Sequence, residues 1–337
     1  MKKYNSIDVW KMVMAVCVIA IHTDMLCNCK SELLKSAFNS FTALAVPFFF
    51  LTSGFLIGNK INEQNPDEKN IEYIKKYLFK IIKLYLIWTL IYLPMAIYYF
   101  IKEGKGIMVS VLSYVRGFIF VGQQYNSWPL WYLLSTIYAL ILLIILIKIL
   151  HLKHKKIAIV GSAIFIVSIA ITCLTEYKGD VTGILYWIKK IVSYSIGSGR
   201  IFTGAFYIPI GIVLSKKELS SITAWMMLIL GYILNVIIDN TAISTILVAM
   251  SSIGLFLIVK KICLPDAPIY YLVRKVSTII YFIHMYIWTA YYMLVYGQKT
   301  YGIDSFLVTT IISSILAVSY IKIIETVNNR RMKMIAE

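Results

Sequence analysis

An all-α, polytopic membrane bundle of about ten transmembrane helices is the fold this sequence predicts, and three observations carry it. Of the 337 residues 60% are hydrophobic and only 15% charged, where a soluble domain carries about 25% charged residues. Mean hydropathy is +0.78. Apolar runs near the roughly 20 residues needed to cross a bilayer recur along the whole chain. A net charge of +17 would suggest nucleic acid in a soluble protein. Here the basic residues sit between apolar runs and answer to the bilayer, so no nucleic-acid partner is expected.

Ten spans are expected at about residues 7–27, 36–58, 81–101, 128–147, 157–175, 201–215, 220–238, 242–259, 277–296 and 305–321. With the N-terminus inside, more than two thirds of the 33 basic residues fall on the inner side. That is the positive-inside pattern, and it predicts that both termini are cytoplasmic. The first span lacks a small-residue cleavage site and is expected to stay in the mature protein.

The spans differ in kind. The second contains Pro47, Ser53 and Gly54, and the sixth Gly204, Pro209 and Gly211, so both are expected to line a cavity. Residues 220–238 and 242–259 are plain enough to face lipid. Between spans, residues 67–83 interleave Lys69, Lys75, Lys76, Lys80 and Lys83 with Ile71, Ile74, Leu78, Phe79 and Ile82, the spacing of an interfacial helix. Its basic face suits either anionic lipid or the phosphates of an anionic ligand. Residues 107–121, apolar around Arg116, are short for a span and are expected to be re-entrant or to lie flat on the outer surface. No transporter-type internal repeat is visible. The expected domain is 1–327, with 328–337 a polar cytoplasmic tail that reads as the start of a linker to a further domain.

The first span carries the chemistry. Lys11 and His22 bracket ten apolar residues, Met12 to Ile21. Eleven residues at about 100° each return nearly to the starting direction, so both side chains share a helix face about 16 Å apart along the axis. Asp8 falls within about 40° of that face. Such a stripe is expensive in lipid and is expected to face protein or water. An imidazole there can take a proton from a hydroxyl as a general base, or simply bond a backbone carbonyl, and the same two roles are open to His284 in the ninth span. Lys11 suits anionic groups of a substrate; alternatively it pairs with Asp8 three residues before it.

The remaining candidates are weaker. His151 and His154 lie in a basic stretch, His-Leu-Lys-His-Lys-Lys, that reads as a solvated turn. No metal site is expected, because further ligands are not near them in the sequence. Cys27 and Cys29, two residues apart, would make a strained bridge, and free thiols are expected. Ser53 lacks the Gly-x-Ser-x-Gly elbow of a serine hydrolase. Its place beside Gly54 points to helix packing. Trp131, in Trp-Pro-Leu-Trp-Tyr-Leu, opens the fourth span as an aromatic belt would. Arg200, opening the sixth, either anchors at the interface or stabilises an anionic group.

Together these segments resemble a known family. Lys11 and His22, the stretch Pro47-Phe-Phe-Phe-Leu-Thr-Ser-Gly-Phe55, Leu130-Trp-Tyr-Leu133 and Ser277-Thr-Ile-Ile-Tyr-Phe-Ile-His284 look like the integral-membrane acyltransferase-3 family across essentially the whole chain. The resemblance implies a ten-helix bacterial membrane domain that moves an acyl group, often acetyl from acetyl-CoA, onto an extracytoplasmic acceptor such as a sugar. It implies His22 as catalytic base, with Lys11, Asp8, Arg200, Tyr281, His284, Ser53 and Trp131 as candidates for donor or acceptor contacts. Two departures stand out. Most members have arginine where this chain has Lys11, which forfeits the bidentate fork for phosphate or carboxylate. Many have a histidine just before the Trp-Tyr pair, where this chain has Pro129-Leu130.

The length and the segment Gly199-Arg-Ile-Phe-Thr-Gly-Ala-Phe-Tyr-Ile-Pro-Ile-Gly211 are similar to the membrane half of VanT-type serine racemases of vancomycin resistance. That likeness implies a module that brings in L-serine for a fused cytoplasmic racemase domain. No racemase signature is present in these residues. Two readings therefore stand: acyl transfer from acetyl-CoA, and permeation of serine or another small polar solute.

Overall fold

The computed structural model of the chain describes residues 4–151 and 153–336, and among them every regular element is helical. Thirteen α-helices follow one another: α1 Asn5–His22, α2 Glu32–Thr42, α3 Ala45–Gly58, α4 Asp67–Lys102, α5 Ile107–Arg116, α6 Leu130–Lys148, α7 His154–Glu176, α8 Gly183–Ser195, α9 Gly204–Lys216, α10 Ser221–Ile237, α11 Thr241–Lys261, α12 Ile269–Tyr291 and α13 Ile303–Ala336. A π segment, Gly117–Val121, continues α5, another, Tyr292–Tyr296, continues α12, and a 3-10 turn, Gly199–Phe202, precedes α9. Each π segment stops at a glycine with positive φ, Gly122 at 74° and Gly297 at 68°, a conformation that a side chain disfavours.

Each expected span finds a helix, with changed ends. Eight helices among the described residues are long and apolar enough to cross a membrane, or nine when α8 and α9, bent by 66°, form one broken span. The expected seventh span is α10, which at 17 residues is at the short limit for a crossing. Helix α8 was not expected from the sequence. Residues 67–83 do not form a separate interfacial helix. They are continuous with the third span in the 36-residue α4, which passes through Pro94 without ending. Helix α13 continues to Ala336, so the expected linker at 328–336 is helical in its backbone.

The chain forms two compact units, residues 1–45 with 259–337 and residues 46–258. In the first, α12 packs along both α1 and α13, around the fully buried Trp288. Trp288 donates its indole N–H to the Thr300 carbonyl at 2.9 Å, which ties α12 to the chain leading into α13. In the second, α4 packs on α6, α6 on α9, and α9 on α7. Aromatic rings fill this core: Phe165 stacks on Phe206 at 4.2 Å and Phe50 leans on Tyr132 at 4.7 Å.

Spans two and six, expected to line a cavity, pack closely together along their glycine faces. A Cβ on Gly54 would lie 2.1 Å from the Ile208 carbonyl oxygen, and one on Gly211 would lie 2.4 Å from that of Leu51. Only glycine lets the α3 and α9 backbones come so near. With Gly58, Gly54 forms the Gly-x-x-x-Gly spacing that membrane helices use for this purpose.

The basic turn before α7 also departs from expectation. His151 is exposed and its Nδ1 lies 2.9 Å from Asp67, but the His154 side chain is only 8% exposed. His154 is not solvated, because Glu63 accepts its backbone N–H at 2.9 Å and lies 3.5 Å from its ring. All five cysteines are free.

Candidate functional site

Helix α1 brings its polar residues to two levels, and α12 meets it at both. At one end the buried Asp8 carboxylate lies 3.3 Å from Arg274 Nε, near the start of α12. At the other end the His22 and His284 rings stack, with centroids 5.4 Å apart and planes within 12°. Asp8 to His22 is fourteen residues and Arg274 to His284 is ten, and both run in the same chain direction. Helices α1 and α12 are therefore parallel, and the polar stripe of one is answered by the other. Lys11 lies one turn from Asp8, half-buried, at the Arg274 level.

The two histidines have different surroundings. His22 is the last residue of α1 and is half-buried, because the helix ends there rather than at residue 27. Thr23 closes the end by returning its hydroxyl to the Ile19 carbonyl at 2.9 Å, and Asp24 then turns the chain at φ 42°. His284 is 0% exposed, with Nδ1 3.1 Å from the Ile280 carbonyl. A carbonyl only accepts, so Nδ1 carries the proton there. The deep histidine is thus His284, and the accessible one is His22.

Tyr281, 4% exposed, sits edge-on to His284 with centroids 6.5 Å apart. Ser277, whose hydroxyl donates to the Arg274 carbonyl at 3.0 Å, is occupied by its own helix. A groove of about 320 Å³ opens beside the Asp8 level, with Asn5, Asp266, Tyr270, Tyr271 and Arg274 among its lining residues. Sequence reasoning missed Arg274. Its signal was a basic residue ten positions before His284, echoing Lys11 eleven before His22.

Ser53, Trp131 and Arg200 belong to the other unit. The Ser53 hydroxyl is 3.2 Å from the Tyr132 hydroxyl and accepts from Tyr77 at 3.4 Å, so it ties three helices together. Arg200 lies in the 3-10 turn with its guanidinium 5.4 Å above the Trp131 ring. That turn is clamped: Ser168 donates to the Gly199 carbonyl at 2.7 Å, and Ser135 accepts the Gly204 N–H at 3.0 Å. A cation so placed over an aromatic face is attracted to the ring by about 0.5–2 kcal/mol.

Eight or nine helices able to cross a membrane, with no strand among the described residues, define a class, the multi-pass helical membrane proteins. The family is narrower. The profile of the acyltransferase domain known as acyltransferase-3 matches residues 4–322, and the chain belongs to that family.

Among curated proteins it is similar to an amino-acid racemase of Enterococcus faecalis, 30% identical over 138 residues, which is 41% of this chain and 19% of the relative. A second amino-acid racemase of that organism is 28% identical over 170 residues, 50% of this chain and 22% of the relative. A serine/alanine racemase of Enterococcus gallinarum is 28% identical over 170 residues, 50% of this chain and 23% of the relative. The matches thus span about a fifth of the length of these relatives. No solved structure matches the chain.

Proposed function

We propose that the chain is an acyltransferase that moves an acyl group, acetyl in the simplest case, from a cytoplasmic acyl-CoA to a hydroxyl acceptor at the far side of a bacterial cell membrane. The observation that carries this reading is the His22–His284 stack at one level of α1, with Lys11, Asp8 and Arg274 at the other. In the proposed step the His22 imidazole takes the acceptor's hydroxyl proton and the oxygen attacks the thioester carbonyl carbon. The carbon–sulfur bond breaks, and the departing thiolate recovers the proton from the imidazolium. Lys11 attracts the negative groups of the donor, which enters along the groove at the Arg274 end. His284 and Tyr281 contact the acceptor side. Both termini are cytoplasmic in this reading.

The racemase relatives favour a second reading, in which this membrane segment supplies L-serine to a racemase domain of a longer protein in vancomycin resistance. One experiment separates them. Purified protein in liposomes is assayed for acetyl-CoA binding, coenzyme A release and L-serine flux, beside His22→Ala and Lys11→Ala. Acyl transfer predicts coenzyme A release that His22→Ala abolishes and weaker donor binding in Lys11→Ala. Serine flux that survives His22→Ala, without acetyl-CoA binding, refutes the acyltransferase mechanism.

A further inference from the structure

Helix α13 buries Ser305, Thr309, Ser313, Ala317 and Ile321, every fourth residue along one side. In apolar surroundings a helical serine or threonine commonly donates to the carbonyl four residues back. Ser314 does so to Thr310 at 2.7 Å, and Thr326 to Lys322 at 2.9 Å. Thr309 and Ser313, both 0% exposed, do not: neither hydroxyl has a hydrogen-bond partner among the described residues. The same holds for Nε2 of His284. With the proton on Nδ1, Nε2 of the neutral ring is an acceptor, so it needs an O–H or N–H aimed at it.

Helix register brings these three groups within about two turns of one another in the first unit. Helices α12 and α13 run antiparallel, and two contacts bracket their register: Tyr291 donates to Asp304 at 3.1 Å, and Lys275 pairs with Glu325 at 3.3 Å. Counting inward from both contacts brings His284 opposite Ser313 to within about one turn, and Thr309 lies one turn further on. Three buried polar groups within two turns of an apolar bundle are unfavourable unless something protic serves them.

We propose that His284 Nε2, Ser313 and Thr309 hold bound water, one or two molecules, forming a hydrated seam behind the His22–His284 stack. Each water donates to Nε2 or a hydroxyl oxygen and accepts from a hydroxyl, within the range of about two to four partners of a buried water. Ser313 and Thr309 are then positioning residues: through the water they fix the ring against which His22 stacks. The inference goes beyond the acyl-transfer reading and holds whichever solute the chain handles.

The test uses the full chain in nanodiscs. Ser313→Ala and Thr309→Val each remove a water ligand at nearly constant shape, and each is expected to lower the thermal unfolding midpoint by about 2–4 °C. A dry seam gives the opposite sign, because an apolar side chain then replaces a stranded hydroxyl. In parallel, X-ray radiolysis generates hydroxyl radicals at bound water. Met285 and Trp288, both 0% exposed, should be oxidised in the intact protein and spared in the double variant. Unchanged or raised midpoints, or no label on Met285 and Trp288 in the unsubstituted protein, overturn the proposal.

Discussion

Replacing Gly54 by alanine tests how α3 and α9 are joined. The added Cβ would stand 2.1 Å from the Ile208 carbonyl oxygen and 2.8 Å from its carbon, about 1.3 Å short of ordinary contact at 3.4 Å. The obstacle is backbone, so no rotamer change relieves it. Alanine gains about 1 kcal/mol over glycine in a helix interior. Overpacking costs about 1–3 kcal/mol, and a backbone obstacle puts this site at the upper end. The net expectation is a loss of about 1–2 kcal/mol, or a midpoint lower by about 1.5–3 °C for a chain of this length. Tryptophan fluorescence during heating in nanodiscs measures it. Gly106→Ala, where an added Cβ meets nothing within 4 Å, is the control and should stay close to the unsubstituted protein. A Gly54→Ala protein as stable as the control would refute close backbone approach as the basis of the α3–α9 contact.

Three further outcomes rest on single polar contacts. The Asp8–Arg274 pair is half-exposed on the arginine side, so a double-alanine cycle should give a coupling of only about 1 kcal/mol, smaller in high salt. A coupling above about 3 kcal/mol would contradict the half-exposed setting of the pair. Ser53→Ala and Tyr132→Phe should each cost about 1 kcal/mol, and the double variant should cost clearly less than both together, since they share one hydrogen bond. Full additivity in unfolding measurements would contradict the pairing. Lys105, and then Tyr125, hold the Glu103 carboxyl below the ordinary carboxylate range. Tyr125 donates to Glu103 at 2.7 Å and Lys105 lies 2.5 Å from it. A lowered folded value means that these contacts are intact above the ordinary carboxylate pKa and open as pH falls through the lowered one. Corrected hydrogen exchange at Gly104 and Lys105 should rise across that window and be flat in Glu103→Gln.

What the sequence revealed and what it hid divide along a physical line. Helical periodicity needs no neighbour, so the shared face of Asp8, Lys11 and His22 could be read from spacing alone, as could the Gly54 packing role. The partner of that face could not, because Arg274 and His284 are more than 250 residues away and nothing local records which helix lies alongside. The end of α1 was placed five residues late, since Thr23 to Cys27 are apolar enough to continue a span and carry neither proline nor glycine. His154 looked solvated among lysines, yet its burial depends on Glu63, ninety-one residues earlier. The continuity of α4 was hidden by a change of period: its first part alternates lysine with apolar residues, its second is uniformly apolar, and the backbone passes through the change unbroken.

The two π segments give the chain a tolerance in length. A π turn spends one more residue than an α turn over the same path. Deleting one residue within Gly117–Val121 or Tyr292–Tyr296 can therefore restore α-helix while leaving the following left-handed glycine to end it. Everything downstream up to that glycine would turn by about 100°. The chain can thus lose a single residue at either place and re-aim only the few residues before the glycine, while an insertion elsewhere in α12 would rotate a whole packed face.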